Sequence, residues 1–194
     1  MRYLYLPRVS STNTYLKSNY QKLENWTILR ADYQEKGRGR LNHVWKSHKG
    51  ENLLCSILIK DEHVFKEHEA LCLLVGVSVY RLLKNLGIKN IKIKLPNDVY
   101  VNNKKICGIL IETIFIANKL KALVIGIGLN LNQKSFPKTL KATSTYLINK
   151  KIVNIDGVLK DLVKIIQEEL KKVKSNYYPY LLKQYKSIIC EHIG

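Results

Sequence analysis

The sequence predicts an α+β fold: a mixed, mostly antiparallel sheet with helices packed on one side. Three observations predict it. Apolar stretches flank the short turns Asn102-Asn103 and Ala117-Asn118, the pattern of antiparallel hairpins. Residues 66–86 repeat apolar side chains at helical spacing (Leu71, Leu74, Val75, Val79, Leu82, Leu83, Leu86) and stop at Gly87. A second helical period covers residues 156–173, apart from the strands.

Taken in order, residues 3–6 form a short strand, and Ser10-Ser11-Thr12-Asn13 offers capping side chains to a helix over residues 14–23. Residues 27–33 are β-rich and run as a strand into a glycine loop, and residues 52–60 are a core strand. Residues 91–95 alternate Lys with apolar side chains. In the hairpin over residues 99–106, a two-residue turn sets Val101 against Lys104, Tyr100 against Lys105 and Val99 against Ile106. Residues 109–116 and 120–131 make the next antiparallel pair, and residues 178–187 add a last short helix. Residues 132–150 are polar and irregular and are expected to form a mobile flap.

A length of 194 residues with 46% hydrophobic composition suits one domain over residues 1–194 with a proper core. No apolar run approaches a membrane span, and the charged, proline-bearing start does not suit a signal peptide. Cys55, Cys72, Cys107 and Cys190 lack CxxC spacing and read as free, buried thiols of a reducing compartment, so the expected location is the cytoplasm. The net charge of +18 is carried by Lys spread along the chain, without the clustering that nucleic acid requires, so no nucleic-acid partner is expected. An acidic protein partner is compatible with that charge. His43, His48, His63, His68 and His192 lack metal-ligand spacing, and no metal site is expected.

Only six of the 33 basic residues are Arg, and two of them stand in Gly37-Arg38-Gly39-Arg40. Glycines allow close backbone approach and positive φ, and guanidinium forks hold paired oxygens, so this loop and the Trp45 that closes it suit an anion. A solvated basic turn is the plainer alternative. On the hairpin, Asp98, Tyr100 and Lys105 share a face, which makes Asp98 an orienting partner for Lys105 beside Gly108. That pair suits either an oxyanion contact or an ordinary surface ion pair. In the strand over residues 124–132, Gly126, Gly128, Asn130 and Asn132 point one way. Such a bare strip admits a flat ring, with two amides to read its edge, or alternatively a crossing helix. The Ser11-Thr12-Asn13 hydroxyls and amide cap a helix and can also hold a polar head group.

These elements, in this order, resemble the catalytic domain of biotin–protein ligases. The resemblance rests on Ser11-Thr12-Asn13; Gln34 with Gly37-Arg38-Gly39-Arg40 and Trp45; Lys94-Leu95-Pro96-Asn97-Asp98; Lys105-Ile-Cys-Gly-Ile-Leu-Ile-Glu112; Gly126-Ile-Gly-Leu-Asn130; and Ala142-Thr-Ser144. It implies the fold shared by class II aminoacyl-tRNA synthetases and biotin synthetases. It also implies activation of biotin by ATP, with Mg²⁺, to biotinyl-AMP, and transfer to a lysine of a biotin carboxyl carrier protein. Lys105 and Arg40 take the catalytic positions. Ser11, Thr12, Asn13, Gln34, Gly37, Arg38, Gly39, Arg40, Trp45, Lys105 and Gly108 map to biotin binding. Arg38, Arg40, Trp45, Asn130 and Asn132 map to the nucleotide. A homodimer is compatible with the resemblance. Departures are Asn42 and His43 for a Gly and an Arg, Leu95 for Trp and Cys107 for Ala. Against the family pattern, the chain is also expected to lack the small C-terminal β-barrel and the N-terminal helix-turn-helix. A lipoate- or octanoate-protein ligase, or a catalytically weak basic binding module, is the alternative reading.

Overall fold

The computed structural model describes residues 1–65, 68–173 and 177–191. Its elements run β1 (Arg2–Leu6), α1 (Thr12–Asn19), β2 (Thr27–Ala31), β3 (Leu53–Ile59), α2 (Glu62–Phe65), α3 (His68–Asn85), β4 (Ile91–Lys94) and β5 (Asp98–Val101). They continue as β6 (Lys104–Ile116), β7 (Lys119–Leu129), α4 (Thr145–Asn149), α5 (Ile155–Leu170), α6 (Tyr177–Gln184) and β8 (Ile189–Cys190). The fold is α+β, as the sequence predicts. The chain divides into two compact units, Met1–Lys66 with Ile109–Leu129, and Glu67–Gly108 with Asn130–Gly194.

In the first unit β1 pairs parallel with β2, β2 antiparallel with β3, β3 antiparallel with β7, and β7 with the end of β6. Every residue of β3 is buried, which is why its sequence Leu-Leu-Cys-Ser-Ile-Leu-Ile hardly alternates. Leu16 of α1 packs into a core of Leu29, Leu58, Ala122 and Val124, all fully buried. The helix begins earlier than the sequence suggested, because Ser11 rather than Asn13 is its N-cap; a single turn of 3₁₀ helix, Tyr20–Lys22, follows it. The β6–β7 turn is built on positive φ at Ala117 (46°) and Asn118 (60°), as a tight antiparallel hairpin needs.

In the second unit the start of β6 pairs with β5, β5 with β4, and β4 runs parallel to β8. Asn102 and Asn103 form the predicted turn, at φ 49° and 61°. Tyr100 faces Lys105 and Val101 faces Lys104 as expected, but Val99 faces Cys107, not Ile106. A β-bulge between Val99 and Tyr100 absorbs the extra residue and brings Asp98 opposite Gly108. Ile106 and Cys107, on the strand opposite the bulge, are both fully buried.

Helix α3 begins at His68 among the described residues; Lys66, where the helical period begins, lies outside them. Its Arg81 grips Glu168 and Glu169 of α5, and Tyr177 of α6 donates its hydroxyl to Glu169 Oε2 at 3.1 Å. Burial pushes the Glu169 carboxyl up, but Lys172, Tyr177 and Arg81 together hold it below the usual carboxylate range. Residues 132–150 are not a loose flap. They contain α4, and Ser144, Thr145 and Gln133 are buried. Ser144 donates to the Gln133 carbonyl at 2.6 Å and Thr145 to the Leu131 carbonyl at 2.7 Å. None of the four cysteines is in a disulfide. Cys55 and Cys107 are buried as expected, whereas Cys72 and Cys190 are only half-buried. Burial pushes the Cys55 thiol up to about 12, against the opposing charge of Arg30.

Candidate functional site

The first unit builds a polar cluster from α1, β3 and the loop after β2. Thr12 donates its backbone N–H to Gln34 Oε1 at 2.8 Å, and its hydroxyl lies 3.0 Å from the same oxygen. The Ser56 hydroxyl lies 2.6 Å from Thr12 Oγ1 and 2.5 Å from Asn13 Oδ1. Asn13 Nδ2 donates to Glu112 Oε2 at 2.9 Å and to the Leu110 carbonyl at 3.2 Å. Ser11, Thr12, Asn13 and Ser56 are all buried, so these bonds replace water instead of competing with it. Ser11 keeps its capping role, accepting from the Thr14 N–H at 3.4 Å.

Glu112, mid-β6, gathers the positive charge of this unit. Lys17 of α1 lies 2.8 Å away and Arg38 3.1 Å away, and Arg38 also donates to the Thr14 hydroxyl at 3.1 Å. Burial raises the Glu112 carboxyl, but bonds from Lys17 and Asn13 and the charges of Lys17 and Arg38 bring it below its ordinary range. Neither Ser56 nor Glu112 stood out as a site residue in the sequence. Ser56 stands in an otherwise apolar run and Glu112 beside Thr113, and neither pattern marks a site before the partners on α1 are seen.

The glycine–arginine loop folds back on itself. Gly39 N–H donates to the His43 carbonyl at 2.7 Å, Trp45 N–H to the Gly37 carbonyl at 3.0 Å, and Arg38 bridges to Val44. The positive φ expected of its glycines falls instead on Leu41 (φ 51°), whose side chain is exposed. Gly37 is required for a different reason: a Cβ there comes within 2.5 Å of the Trp45 carbonyl oxygen. The two arginines differ. Arg38 is ion-paired, whereas Arg40 is exposed and makes no ion pair or side-chain hydrogen bond among the described residues.

The bare strip of β7 is covered by the chain's own flat groups. A Cβ on Gly126 meets the Asn13 amide carbon at 2.9 Å, and one on Gly128 meets the Trp45 indole at 2.6 Å. The crossing helix is α1, through Asn13, and the flat ring on the sheet is Trp45. Ser56 lies directly across from Gly126 in the β3–β7 ladder, so the hydroxyl and the bare backbone frame one spot.

In the second unit Lys105 Nζ lies 2.7 Å from Asp98 Oδ1, as the hairpin argument expects. The backbone of Lys105 is held on its other side: its N–H donates to the Lys141 carbonyl at 2.8 Å, and its carbonyl accepts from Thr143 at 2.9 Å. Asn130 is buried and clamped. Its N–H donates to Ile106, its carbonyl accepts from Thr145, and its Nδ2 donates to the Thr143 carbonyl at 3.0 Å. That last bond fixes the amide orientation, and Oδ1 is left buried with no partner among the described residues. Asn132 does not share this arrangement. Strand β7 ends at Leu129, and the Asn132 amide is spent on both backbone groups of Val153, at 2.9 and 3.0 Å. Among the described residues no group of three His, Cys, Asp or Glu could hold a metal ion.

The fold of the chain has counterparts in known proteins. The biotin protein ligase of Aquifex aeolicus in complex with biotin and ATP superposes with TM-score 0.85 and 34% identity, over 97% of this chain and 78% of that one. The R40G mutant of the same protein, in complex with biotin, gives TM-score 0.82 at 33% identity, covering 97% of this chain and 78% of that chain. The bifunctional ligase/repressor BirA of Escherichia coli is 30% identical over 151 residues, 78% of this chain and 47% of that protein. The fold, an antiparallel sheet with helices on one side, is thus the biotin ligase catalytic fold. Residues 5–130 match the Biotin/lipoate A/B protein ligase family, and the chain belongs to that family. The chain spans about half the length of the curated relatives it matches.

Proposed function

We propose that this chain is an ATP-dependent biotin–protein ligase whose residues 1–194 form one catalytic domain. It activates biotin and transfers it to a lysine of a biotin carboxyl carrier protein in the cytoplasm. The observation that carries the reading is the part-buried Thr12–Gln34 pair, in a family member 34% identical to a ligase solved with biotin and ATP. A hydroxyl and a primary amide side by side match an N–H/C=O edge such as that of biotin's ring urea.

In the first step a biotin carboxylate oxygen attacks the α-phosphorus of ATP, and the bond to the leaving pyrophosphate breaks. In the second, the acceptor lysine amine attacks the acyl carbon of biotinyl-AMP. An amide forms, AMP leaves with the bonding pair, and the amine gives up a proton. Apposing a carboxylate and a triphosphate needs fixed cations, and Arg40 and Lys105 take that role, with Asp98 orienting Lys105. Thr12, Gln34 and the backbone at Gly37, Gly39 and Gly108 hold biotin; Ser11 and Asn13 support Thr12. Arg38 shapes the loop, and Trp45 serves both ligands. The buried Asn130 Oδ1 accepts from the adenine amino group, a contact that supplies the donor it lacks within the chain. Mg²⁺ enters as part of the Mg·ATP substrate.

The test is pyrophosphate exchange into ATP with biotin, with lipoate, and with neither. Biotin-dependent exchange supports the reading. Lipoate-dependent exchange moves the chain to the other arm of the family, and no exchange with either leaves it a binding module.

A further inference from the structure

The hydrogen atoms of the Thr12–Ser56–Asn13–Glu112 cluster can be counted, and the count sets a direction. Glu112 is a carboxylate whose oxygens only accept, from Lys17, Arg38 and Asn13. The Asn13 amide must therefore turn Nδ2 toward Glu112 and the Leu110 carbonyl, because the flipped amide sets oxygen against oxygen at both. Asn13 Oδ1 then faces the Ser56 hydroxyl at 2.5 Å, and only Ser56 can supply that hydrogen. Ser56 has no second hydrogen for its 2.6 Å contact with Thr12 Oγ1, so Thr12 supplies it. Gln34 Oε1 is satisfied without the Thr12 hydroxyl, by the Thr12 backbone N–H at 2.8 Å. The hydrogens all run one way, from Thr12 to Ser56 to Asn13 to Glu112.

We infer that Ser56 and Glu112 are positioning residues that lock the Thr12 hydroxyl as an acceptor toward the ligand. With its hydrogen committed to Ser56, Thr12 Oγ1 has only lone pairs to offer, and Gln34 keeps Nε2 as the donor beside it. A hydroxyl free to turn accepts a ligand oxygen as readily as a ligand N–H. A locked one rejects the oxygen. The selectivity of the site for a ring N–H is thus set at the second and fourth residues of the chain that starts from the ligand at Thr12, a serine inside β3 and a glutamate inside β6. The charges of Lys17 and Arg38 anchor the chain by keeping Glu112 ionised.

This inference rests on the biotin reading, and the experiment separates the two. Calorimetric titration compares biotin with its cyclic carbamate analogue, in which one ureido N–H is replaced by oxygen. The wild type is expected to prefer biotin by about 100-fold, since the carbamate oxygen meets lone pairs and makes no bond. In Ser56→Ala the Thr12 hydroxyl is released to divide its hydrogen between Gln34 Oε1 and the ligand, and the preference should fall to within about tenfold. Glu112→Gln, nearly isosteric, should lower it in the same direction without touching β3. A structural role alone weakens both ligands equally and leaves the ratio where it was; an unchanged ratio in a folded Ser56→Ala or Glu112→Gln protein overturns the inference. Wild type that binds neither ligand overturns the biotin reading instead. Melting curves of both variants identify the folded one that decides.

Discussion

Gly128→Ala tests the packing of Trp45 on the sheet, on which the position of the whole loop depends. The added Cβ stands 2.6 Å from Trp45 Cε2 and 2.9 Å from Cζ2 and Nε1. Ordinary carbon–carbon contact is about 3.5 Å, so the indole must retreat by about 1 Å. The backbone of β7 cannot give instead, because Gly128 is paired with the buried Leu54 of β3. Overpacking of this kind costs about 1–3 kcal/mol. Trp45 is half-buried and hangs from a loop, so the cost should fall on loop position and not on the core. The loop is tied to the ring: Trp45 N–H bonds the Gly37 carbonyl, and Val44 bridges to Arg38. Expected, then, is a biotin affinity roughly 5- to 150-fold weaker with a melting temperature close to wild type. The chain has two tryptophans, so in a Trp26→Phe background the fluorescence reports Trp45 alone. Its emission should shift to the red as the ring leaves the sheet. Unchanged emission together with unchanged biotin affinity refutes the packing argument.

Other outcomes follow from the same geometry. Lys105→Ala should lower biotin-dependent pyrophosphate exchange by about two to three decades while the melting curve stays put, and exchange within threefold of wild type removes Lys105 from the reaction. Arg40→Gly should leave adenylate formation possible but release the adenylate, seen as biotin on bystander albumin; labelling no greater than with wild type argues against retention by Arg40. Glu112 and Glu169 titrate below their ordinary range when folded. Their contribution to stability is therefore complete above pH about 4.3 and is lost as pH falls through the depressed folded values. Melting temperature against pH should be flat from neutral down to about 5 and fall below that. Glu169→Gln should flatten part of the fall, and an unaltered profile counts against the Arg81–Glu169–Tyr177 cluster as its source.

What the sequence showed and what it hid divide along local and non-local lines. The Asn102-Asn103 and Ala117-Asn118 turns were legible because positive φ is a local property with a local signature. The bulge opposite Val99 was not, because alternation is counted one for one until a partner strand breaks the count. Strand β8 is two residues long, and only its pairing with β4 makes it a strand. Residues 132–150 look irregular, yet their hydroxyls and amides bond backbone carbonyls, a use of Ser, Thr and Asn that composition does not distinguish from solvation. At the site, Thr12, Gln34 and the Lys105–Asp98 pair were readable from motif and register. Ser56 was not: within an apolar run it reads as a tolerated small residue until Asn13 and Thr12 are seen above it.

The two loop arginines were equivalent in sequence and are not equivalent in the fold. Arg38 is bound to Glu112 and Thr14, and Lys17 shares the same carboxylate, so one negative charge there holds two cations. Arg40, with no such partner, keeps its charge for an anion. Lys105 stands between these cases, held by one carboxylate oxygen of Asp98 but still a third exposed. A cation fully neutralised inside the protein gains little from a ligand phosphate, and one with no neighbour is not oriented. Pairing at Arg38, steering at Lys105 and exposure at Arg40 give one cation that shapes the loop, one that is aimed, and one that the proposed function offers to a ligand. Arg38 reaches Thr14 and both oxygens of Glu112 through one nitrogen, Nη2, which leaves the fork itself to explain only at Arg40, where the proposed function gives it two ligand oxygens to hold.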